Sequence, residues 1–409
     1  MSTDILLDES PFGTRALAVR DDRACGLAYD FAQRTTPQLG ELLYAKALHR
    51  DDRLGGQICD IGAAGEGLLP IRDRARSQGD GFIAAIRREG QGTKRPTLSD
   101  RPALRLPAAT LFLDDLTTVK PGPMGQMDPP KNFDRPGDQQ NLTPGPLKTV
   151  PGPLRLLTLL SNQETQAIHV SSGLLAAKIK SFVPDTVEII VNENIAQGIR
   201  EGEEEALSRT VPLEEGGHLI IDSTEALTAI DLDLGRMGSR SQKGAADKLK
   251  RRALEVLADS LTLRSIGGQI VFDFPRGAVK APKMLRDQMT ALLKPGGLTN
   301  IPAVTKEGLV IGIATQPRRP VLDDLTERTP SDDPRPAHRL RADVLAWHAY
   351  DAVKHALRSA PSQTLTLALG HDLEHPWQKA YATKALNTTY GPRLALEKLA
   401  EDPRGFQIR

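Results

Sequence analysis

The sequence predicts a multidomain protein that combines α+β and α/β regions with a small β-barrel. Three observations support this fold class. The chain has 409 residues, which is too many for one ordinary core. Short strands and glycine-rich turns fill residues 38–108, a pattern typical of a barrel. Beyond His218 the order is strand, strand, helix, strand, helix, which indicates an α/β layer.

The N-terminal third reads mainly as β-structure. Residues Ile5 to Asp22 alternate like two short strands joined by a Pro-Phe-Gly turn, and the barrel pattern follows. Nine prolines then fall between Pro121 and Pro153. Such a composition disfavours both helix and sheet, so this segment is predicted to be a loop or linker.

Regular structure returns after the proline-rich segment. Helical periodicity begins near Leu154 and recurs, and the residues from about Ala245 to Leu263 form a basic helix in this prediction. Strands are predicted from His218 to Asp222, from Ala226 to Asp231 and from Gly267 to Phe274. A second linker rich in Pro and Asp, residues 330–336, precedes a compact α/β tail.

The overall composition restricts the class of protein. Lys and Arg number 53 against 52 Asp and Glu, so the net charge is +1 and any basic surface must be local. Cys25 and Cys59 lack paired spacing, which excludes a disulfide framework and a cysteine-rich zinc site. No stretch has the length and apolarity of a membrane span, and the first ten residues do not read as a secretion signal. We therefore expect a cytoplasmic protein with no membrane partner.

Aspartates at the ends of two predicted strands are the main candidates for chemistry. Asp231 and Asp273 each end an apolar strand, and Asp233 shares the face of Asp231 because side chains alternate along a strand. If the two strands are neighbours, their carboxylates meet at one sheet edge and suit Mg²⁺, which can activate water against a phosphate. The alternative is that these aspartates only cap the following turns.

Basic residues crowd the loop and helix after Asp233. A metal site beside a basic helix suits a polyanion with a reacting phosphodiester, although an ordinary solvated helix face is an equal alternative. The residues are Arg236, Arg240, Lys243, Lys248, Lys250, Arg251 and Arg252.

Two further motifs are weaker. The run H-D-L-E-H, His371 to His375, fits a zinc-peptidase pattern, but Gly370 and Pro376 flank it and favour a surface turn. The run G-A-A-G-E-G, Gly62 to Gly67, lacks the Lys-Ser/Thr ending of a phosphate loop and is predicted to be a turn in the barrel.

Two blocks of the sequence resemble the catalytic core of the ribonuclease E/G family. The first reads G-G-H-L-I-I-D-S-T-E-A-L-T-A-I-D-L-D, and the second, at the matching distance, reads L-T-L-R-S-I-G-G-Q-I-V-F-D-F. Weaker similarity covers I-L-L-D-E-S-P-F-G-T-R-A-L-A-V, the barrel runs L-Y-A-K, C-D-I-G and G-L-L-P, the run S-F-V-P-D-T-V-E-I-I-V, and the tail from about Ala342.

This resemblance implies a domain plan. It implies an RNase H-like domain from residues 1–37 and 148–215, an S1-like (OB) RNA-binding barrel over 38–108, a DNase I-like α/β catalytic domain over 216–322, and a small C-terminal α/β domain over 339–409. Residues 109–147 stand as a proline-rich linker where the family has its 5′-sensor, and residues 323–338 form a second linker.

The resemblance also implies roles for individual residues. Asp231 and Asp273 would hold a catalytic Mg²⁺ that cleaves single-stranded RNA, and Asp233 stands where an asparagine is common. In the barrel, Lys94 matches a basic position and Arg95 adds a charge, whereas Ile58 and Leu68 replace aromatic residues that hold a base. We therefore expect a weaker or less selective grip on single strands.

Other departures from the family pattern remove further functions. No R-T-A-A/G-type sensor motif is present, which predicts no preference for 5′-monophosphorylated RNA. No C-P-x-C pair occurs near residues 322–338, so no zinc and no zinc-linked dimer are expected, and the oligomeric state is not predicted. Near Lys306 the run K-E-G-L-V-I-G-I-A-T-Q replaces a stretch that is more basic in relatives.

Three functional hypotheses follow. The leading one is a Mg²⁺-dependent endoribonuclease that acts on single-stranded RNA, with Asp231 and Asp273 as catalytic residues. The second is an RNA-binding protein of the same family that has lost catalysis. The third, a metallopeptidase built on His371 and His375, is disfavoured by the helix-breaking residues around that motif.

Overall fold

The secondary structure is described from a computed structural model. It describes residues 2–34, 36–70, 76–91, 94–100, 103–105, 110–115, 118–122, 143–147, 151–213, 216–224, 226–233, 243–273, 282–294, 296–305, 308–329 and 338–409.

The described residues form strands and helices along the whole chain. The strands are β1 Thr3–Ser10, β2 Gly13–Arg20, β3 Arg23–Phe31, β4 Leu42–Asp51, β5 Gly56–Asp60, β6 Glu66–Pro70, β7 Gly81–Arg88, β8 Thr97–Ser99, β9 Ala103–Arg105, β10 Thr110–Asp115, β11 Thr118–Gly122, β12 Gly145–Pro146, β13 Thr165–Val170, β14 Glu188–Val191, β15 Thr210–Pro212, β16 His218–Ser223, β17 Leu227–Asp233, β18 Gly268–Asp273, β19 Leu298–Val304, β20 Leu309–Ala314, β21 Thr326–Arg328, β22 His338–Leu340, β23 Leu365–Gly370, β24 Leu394–Leu399 and β25 Phe406–Ile408. The helices are α1 Gly152–Leu160, α2 Gly173–Ile179, α3 Ile195–Leu207, α4 Lys243–Leu263, α5 Pro282–Leu293, α6 Val321–Leu325, α7 Ala342–Ser359, α8 His371–Lys379 and α9 Ala382–Tyr390.

The first sheet joins the N-terminus to residues beyond the barrel. Its strand order is β14-β13-β1-β2-β3, with β1, β13 and β14 parallel. The β1–β2 hairpin turns at Gly13, where φ is +138° and a Cβ would lie 2.0 Å from the carbonyl oxygen of Asp30. Glycine is therefore required at this turn, as the Pro-Phe-Gly signal suggested.

A closed five-stranded barrel follows in the chain. The order β4-β5-β6-β8-β7 closes through pairing of β4 with β7, as in an OB-like barrel. Its core is small and aliphatic, with Phe82 as the aromatic member. The predicted barrel and the mixed α/β class are both confirmed in this coarse form.

The segment predicted to be the first linker contains strands. β9, β10 and β11 form a three-stranded antiparallel sheet, and β12 pairs with β4 at the barrel. Residues 110–115, 118–122 and 145–146 of the predicted linker over 109–147 are therefore strands, and the run T-L-F-L-D-D has strand-forming residues. Residues 123–142 of that prediction lie outside the described part. Pro146 fits β12 because that strand lies at a sheet edge, where a missing N–H is tolerated.

The fourth sheet carries the candidate site. Its order is β15-β16-β17-β18-β20-β19, and β17–α4–β18 is a strand–helix–strand unit with parallel strands. Apolar residues of α4 and α5 cover one face of this sheet. The opposite face, here called the open face, carries the exposed residues of β17, β18 and β20.

The C-terminal region differs from the prediction in two places. The predicted linker at residues 323–338 includes the end of α6 and the strand β21, which pairs with β22, while residues 330–337 lie outside the described part. The H-D-L-E-H run is not a turn but the start of α8, with Pro376 inside the helix. Pro376 is the sixth residue of this nine-residue helix, so it lacks the N–H that would bond to the carbonyl of Asp372. Leu373 and Trp377 of the same helix are buried, and this packing compensates for the missing hydrogen bond. In the described part of the chain, no helix is long and apolar enough to cross a membrane.

Candidate active site

Asp231 and Asp273 lie side by side on neighbouring parallel strands. The register of β17 and β18 sets these two residues directly opposite each other. Both are exposed, whereas the preceding residues Ile230 and Phe272 are buried in the core. Neighbouring strands are about 4.8 Å apart, so the two carboxylates can reach one shared ion on the open face.

Asp233 has a different environment on the same face. It lies opposite His218 on β16, and His218 Nε2 is 3.8 Å from Asp233 Oδ2. Two residues along a strand span about 6.6 Å, whereas adjacent strands are about 4.8 Å apart. Asp233 therefore lies further from Asp231 than Asp273 does. Asp233 can therefore add negative charge to the site while it contacts His218.

The two carboxylates fit the requirements of a magnesium ion. Mg²⁺ is commonly held by one or two carboxylates together with waters and substrate phosphate oxygens. Within the described ranges, no three residues of the types His, Cys, Asp and Glu form a group that could hold a metal alone. A site of two aspartates therefore suits Mg²⁺ bound together with substrate. Cys25 and Cys59 are buried and free, and burial raises the pKa of each thiol to about 11.

The predicted basic cluster is only partly described. Arg236 and Arg240 lie outside the described residues, and Lys243 is the first residue of α4. The Nε atom of Arg251 donates to Glu255 Oε1 at 3.3 Å, and Arg252 Nη1 lies 3.5 Å from Glu255 Oε2. Arg251 nevertheless keeps 72% of its side chain exposed.

The four barrel residues that are predicted to bind RNA lie in two places: two on the paired strands β5 and β6, and two in the segment between β7 and β8. Ile58 and Leu68 are partners across β5 and β6, but Ile58 is only 1% exposed, so Leu68 has more surface to offer a base. Lys94 is exposed. Arg95 is also exposed and donates through Nε to Glu66 at 2.8 Å. The barrel therefore presents basic side chains at its surface, one of them already paired.

Glu89, next to β7 of the barrel, connects the barrel to the segment that follows β20. Its buried carboxylate accepts a hydrogen bond from the backbone N–H of Leu39 and another from that of Arg319, each at 2.9 Å. The backbone N–H of Glu89 in turn donates to the carbonyl of Pro317 at 2.8 Å. These bonds fix the end of β7 against the segment that leaves β20.

Sequence reasoning did not identify three exposed residues of β20 beside the pair. Leu309, Ile311 and Ile313 are 41%, 38% and 38% exposed on the open face, and Leu309 lies opposite Asp273. The run L-V-I-G-I-A is apolar at every position, which predicts a strand buried on both faces. Apolarity alone could not reveal which side faces solvent.

The fold and the site together define a class of protein. The described part of the chain is a mixed α/β fold with an OB-like barrel, and it carries two carboxylates opposite each other on adjacent strands. Residues 153–311 match the Ribonuclease E/G family. This match includes both core blocks and supports their resemblance to the family.

Known relatives match only part of the chain. Ribonuclease G of Haemophilus influenzae is 30% identical over 171 residues, which are 39% of this chain and 35% of that protein. Ribonuclease G of Escherichia coli K12 is 28% identical over 169 residues, or 38% and 35% of the two chains. Ribonuclease E of Buchnera aphidicola is 43% identical over 74 residues, which cover 17% of this chain and 7% of that protein. The matched region thus spans about a third of the length of the ribonuclease G relatives.

Proposed function

We propose that this protein is a Mg²⁺-dependent endoribonuclease that cleaves single-stranded RNA. The observation that carries this proposal is the register of Asp231 opposite Asp273 at the ends of adjacent parallel strands. The match of residues 153–311 to a ribonuclease family supports the substrate class. The barrel and the exposed Arg251 of α4 offer further surfaces to a polyanion.

Each aspartate has a role in this proposal. Asp231 and Asp273 hold the ion through hard anionic oxygens, and Asp233 adds a third negative charge nearby. When bound, Mg²⁺ polarises the phosphate and lowers the pKa of a water that serves as nucleophile. Hydrolysis forms a bond from phosphorus to the water oxygen and breaks the bond to one ribose oxygen, which takes up a proton from that water.

Residues outside the pair position the RNA. Lys94, Arg95 and Arg251 contact phosphates without reading the sequence, since such contacts carry no base information. Leu68 offers an aliphatic surface to a base, which is a weaker platform than an aromatic ring. We therefore expect modest affinity and little sequence preference from the barrel.

The direct test is cleavage of single-stranded RNA in Mg²⁺ by the wild type and by Asp231→Asn and Asp273→Asn. Each substitution removes one anionic ligand, so the rate should fall at least roughly 100-fold. Asp222→Asn is the matched control, because Asp222 lies on the neighbouring strand and pairs with Arg209 at 2.6 Å. That control should stay within about twofold of the wild type, since an exposed ion pair contributes little.

The outcomes distinguish an endoribonuclease from an RNA-binding protein that has lost catalysis. Cleavage that survives both substitutions would exclude the aspartate pair as the catalytic site. RNA binding by the wild type without any cleavage would favour the alternative, an RNA-binding family member without catalysis. A marked preference for 5′-monophosphorylated over 5′-hydroxyl RNA would contradict the predicted loss of the 5′-sensor.

A further inference from the structure

The open face carries an ordered apolar patch next to the carboxylate pair. Strand registers arrange it in rows that run across the strands. The first row is Asp231, Asp273 and Leu309; the second is Ala229, Val271 and Ile311; the third is Leu227, Gln269 and Ile313. The apolar residues thus begin within the row of the carboxylates and continue away from it along β18 and β20.

The patch is unusual for the surface of this chain. Other large exposed hydrophobic residues in the described part, such as Leu54, Leu174 and Leu396, lie on separate elements, whereas three lie in alternation on β20. Single exposed hydrophobics need no explanation, but a contiguous group rimmed by polar residues marks a binding surface. Here Thr299 and Asn300 of β19 are exposed on the far side of β20.

The distances match a nucleotide bound at the pair. Adjacent strands lie about 4.8 Å apart and adjacent rows about 6.6 Å apart, which puts Ile311 about 8 Å from Asp273 along the diagonal. A base attached to a phosphate at Asp231 and Asp273 therefore reaches Val271 and Ile311 within the length of one nucleotide. The aliphatic side chains offer no hydrogen bonds, so this contact does not read sequence.

We propose that Ile311 and Ile313, with Leu309 and Val271, form a platform for the bases of single-stranded RNA whose scissile phosphate lies at Asp231 and Asp273. This inference rests on the proposed function, and it assigns substrate-positioning residues to the same site. In a duplex both faces of a base are covered by stacking on the neighbouring pairs, so the platform favours unpaired bases. The platform thereby supplies a selection for single strands that lies outside the barrel.

A second copy of the chain is the less suitable occupant of this surface. Two-fold pairing of the open face would bring Asp231, Asp233 and Asp273 towards their own copies, and like charges at an interface oppose association. A stable interface also needs roughly 800 Å² from each partner, well above what a few half-exposed aliphatic side chains supply.

The test combines variants with a modified substrate. The double variant Ile311→Asn with Ile313→Asn changes only exposed side chains, and Leu396→Asn is the matched control on an exposed strand position of the C-terminal sheet. The probe is a short fluorescein-labelled oligoadenylate in Mg²⁺, followed by anisotropy for Kd and by gel for KM and kcat. A second oligoadenylate carries abasic positions on either side of the cleaved phosphate.

The platform predicts a specific pattern. The double variant should raise Kd and KM about fivefold to tenfold with kcat within about twofold, because the contact is apolar and remote from the reacting atoms. The wild type should bind the abasic probe more weakly by a similar factor, and the double variant should not distinguish the two probes. The Leu396→Asn control should behave as the wild type in every assay.

Every other outcome contradicts either the platform or the proposed function. If the wild type cleaves and the double variant binds and cleaves equally well, the platform is wrong and the proposed function stands. If the wild type binds but does not cleave, the proposed function fails. The Kd values of the wild type for the normal and the abasic oligoadenylate then test the platform by themselves. A wild type that sediments as a dimer, with a monomeric double variant, would show that the surface joins two copies instead. The abasic probe on wild-type protein keeps the test valid even if the double variant unfolds.

Discussion

Asp233 is the residue of the site whose role depends most on charge. It lies on the open face with Asp231, but it is opposite His218 rather than opposite another carboxylate. Its carboxylate is too far along the strand to replace Asp273 as the partner of Asp231. If the proposed metal site is correct, we expect Asp233 to act on the cation mainly through its charge.

Removing that charge should weaken the affinity for magnesium without abolishing activity. Asp233→Asn is expected to raise the Mg²⁺ concentration for half-maximal cleavage roughly threefold to tenfold, as Coulomb attraction over several ångströms in a high dielectric allows. A Mg²⁺ titration of the cleavage rate measures this, with Asp222→Asn as the control carboxylate. An unchanged or lower Mg²⁺ requirement would show that Asp233 does not act on the ion.

At the residue scale, the sequence predicted the carboxylates better than their surroundings. Asp231 and Asp273 could be found because each ends an apolar run, and chain order places both runs in one layer. The register that sets them opposite each other depends on backbone pairing, which no single run encodes. The exposure of Ile311 could not be predicted, because it depends on what covers each face of the sheet.

At the scale of elements, α4 has two connections. Its C-terminal half anchors the helix to the first sheet, since Asp259 accepts hydrogen bonds from Arg20 at 3.1 Å and from Arg23 at 2.9 Å. Burial raises the pKa of Asp259, and the two guanidinium groups oppose that effect. Further towards its N-terminus, Arg251 remains exposed. The helix can therefore hold a fixed place in the fold and still offer a charge to RNA.

Arg251→Ala should weaken RNA binding about equally for different sequences. We expect roughly a twofold to threefold rise in Kd and a salt dependence lower by up to about one phosphate contact. Anisotropy titrations at several salt concentrations measure both quantities. Arg339→Ala is the control, because Arg339 is also exposed and donates to Glu327 at 3.0 Å on another domain. Equal losses in both variants would indicate a non-specific effect of net charge.

Elements with a clear alternation of apolar and polar residues could be predicted, whereas elements that contain or adjoin several prolines could not. The β1–β2 hairpin and β16 follow from local pattern, because turn residues and alternating apolar residues agree there. β10 was missed because nearby prolines dominated the interpretation. The start of α8 is not predictable from local pattern, because Pro376 disfavours a helix there and the burial of Leu373 and Trp377, which stabilises the helix, depends on tertiary packing.

At the scale of the whole molecule, a buried ionic cluster joins the first sheet to helix α7. Arg15 of β2 donates to Asp8 at 2.8 Å and to Asp351 of α7 at 2.6 Å, and its guanidinium lies 4.8 Å from the ring centroid of Trp347. Burial acts to lower the pKa of Arg15, but the surrounding carboxylates raise it above its ordinary value. Arg15 therefore stays charged inside the protein.

Arg15→Met should destabilise the protein strongly. The substitution keeps most of the volume but leaves Asp8 and Asp351 buried without their cation, which costs about 3–5 kcal/mol in free energy of unfolding. Chemical unfolding of the full chain measures the change. Arg209→Met, which removes an exposed pair with Asp222, should change stability little. A small effect of Arg15→Met would mean that the cluster does not hold α7 to the first sheet.

Glu203 should make stability depend on acid pH. Burial tends to raise the pKa of this carboxyl, but His348, 2.6 Å away, and Arg15 lower it below its ordinary value of 4.5. A depressed pKa stabilises the fold above that ordinary value, and the stabilisation is lost as the pH falls through the folded-state pKa. Unfolding of Glu203→Gln and of the wild type should therefore differ most near neutral pH and converge in acid. A constant difference would contradict the assignment.

The assembly of domains could be predicted only in outline. Composition separated the barrel from the regions that follow, because strand-rich and helix-rich segments differ in period. The contacts between these regions join residues far apart in sequence, such as Glu89 beside the barrel with Arg319, and Arg15 of β2 with Asp351 of α7. Such pairings are set by packing, so neither could be inferred from local pattern.

Sulfur substitution of the RNA phosphates tests most directly whether Asp231 and Asp273 hold an ion at the reacting group. RNA with phosphorothioate linkages should be cleaved slowly in Mg²⁺ and faster in Mn²⁺, because sulfur is a poor ligand for the harder ion. Asp231→Asn and Asp273→Asn should show no such rescue. Equal cleavage of phosphate and phosphorothioate RNA in Mg²⁺, or cleavage that persists in excess chelator, would contradict the proposed metal site.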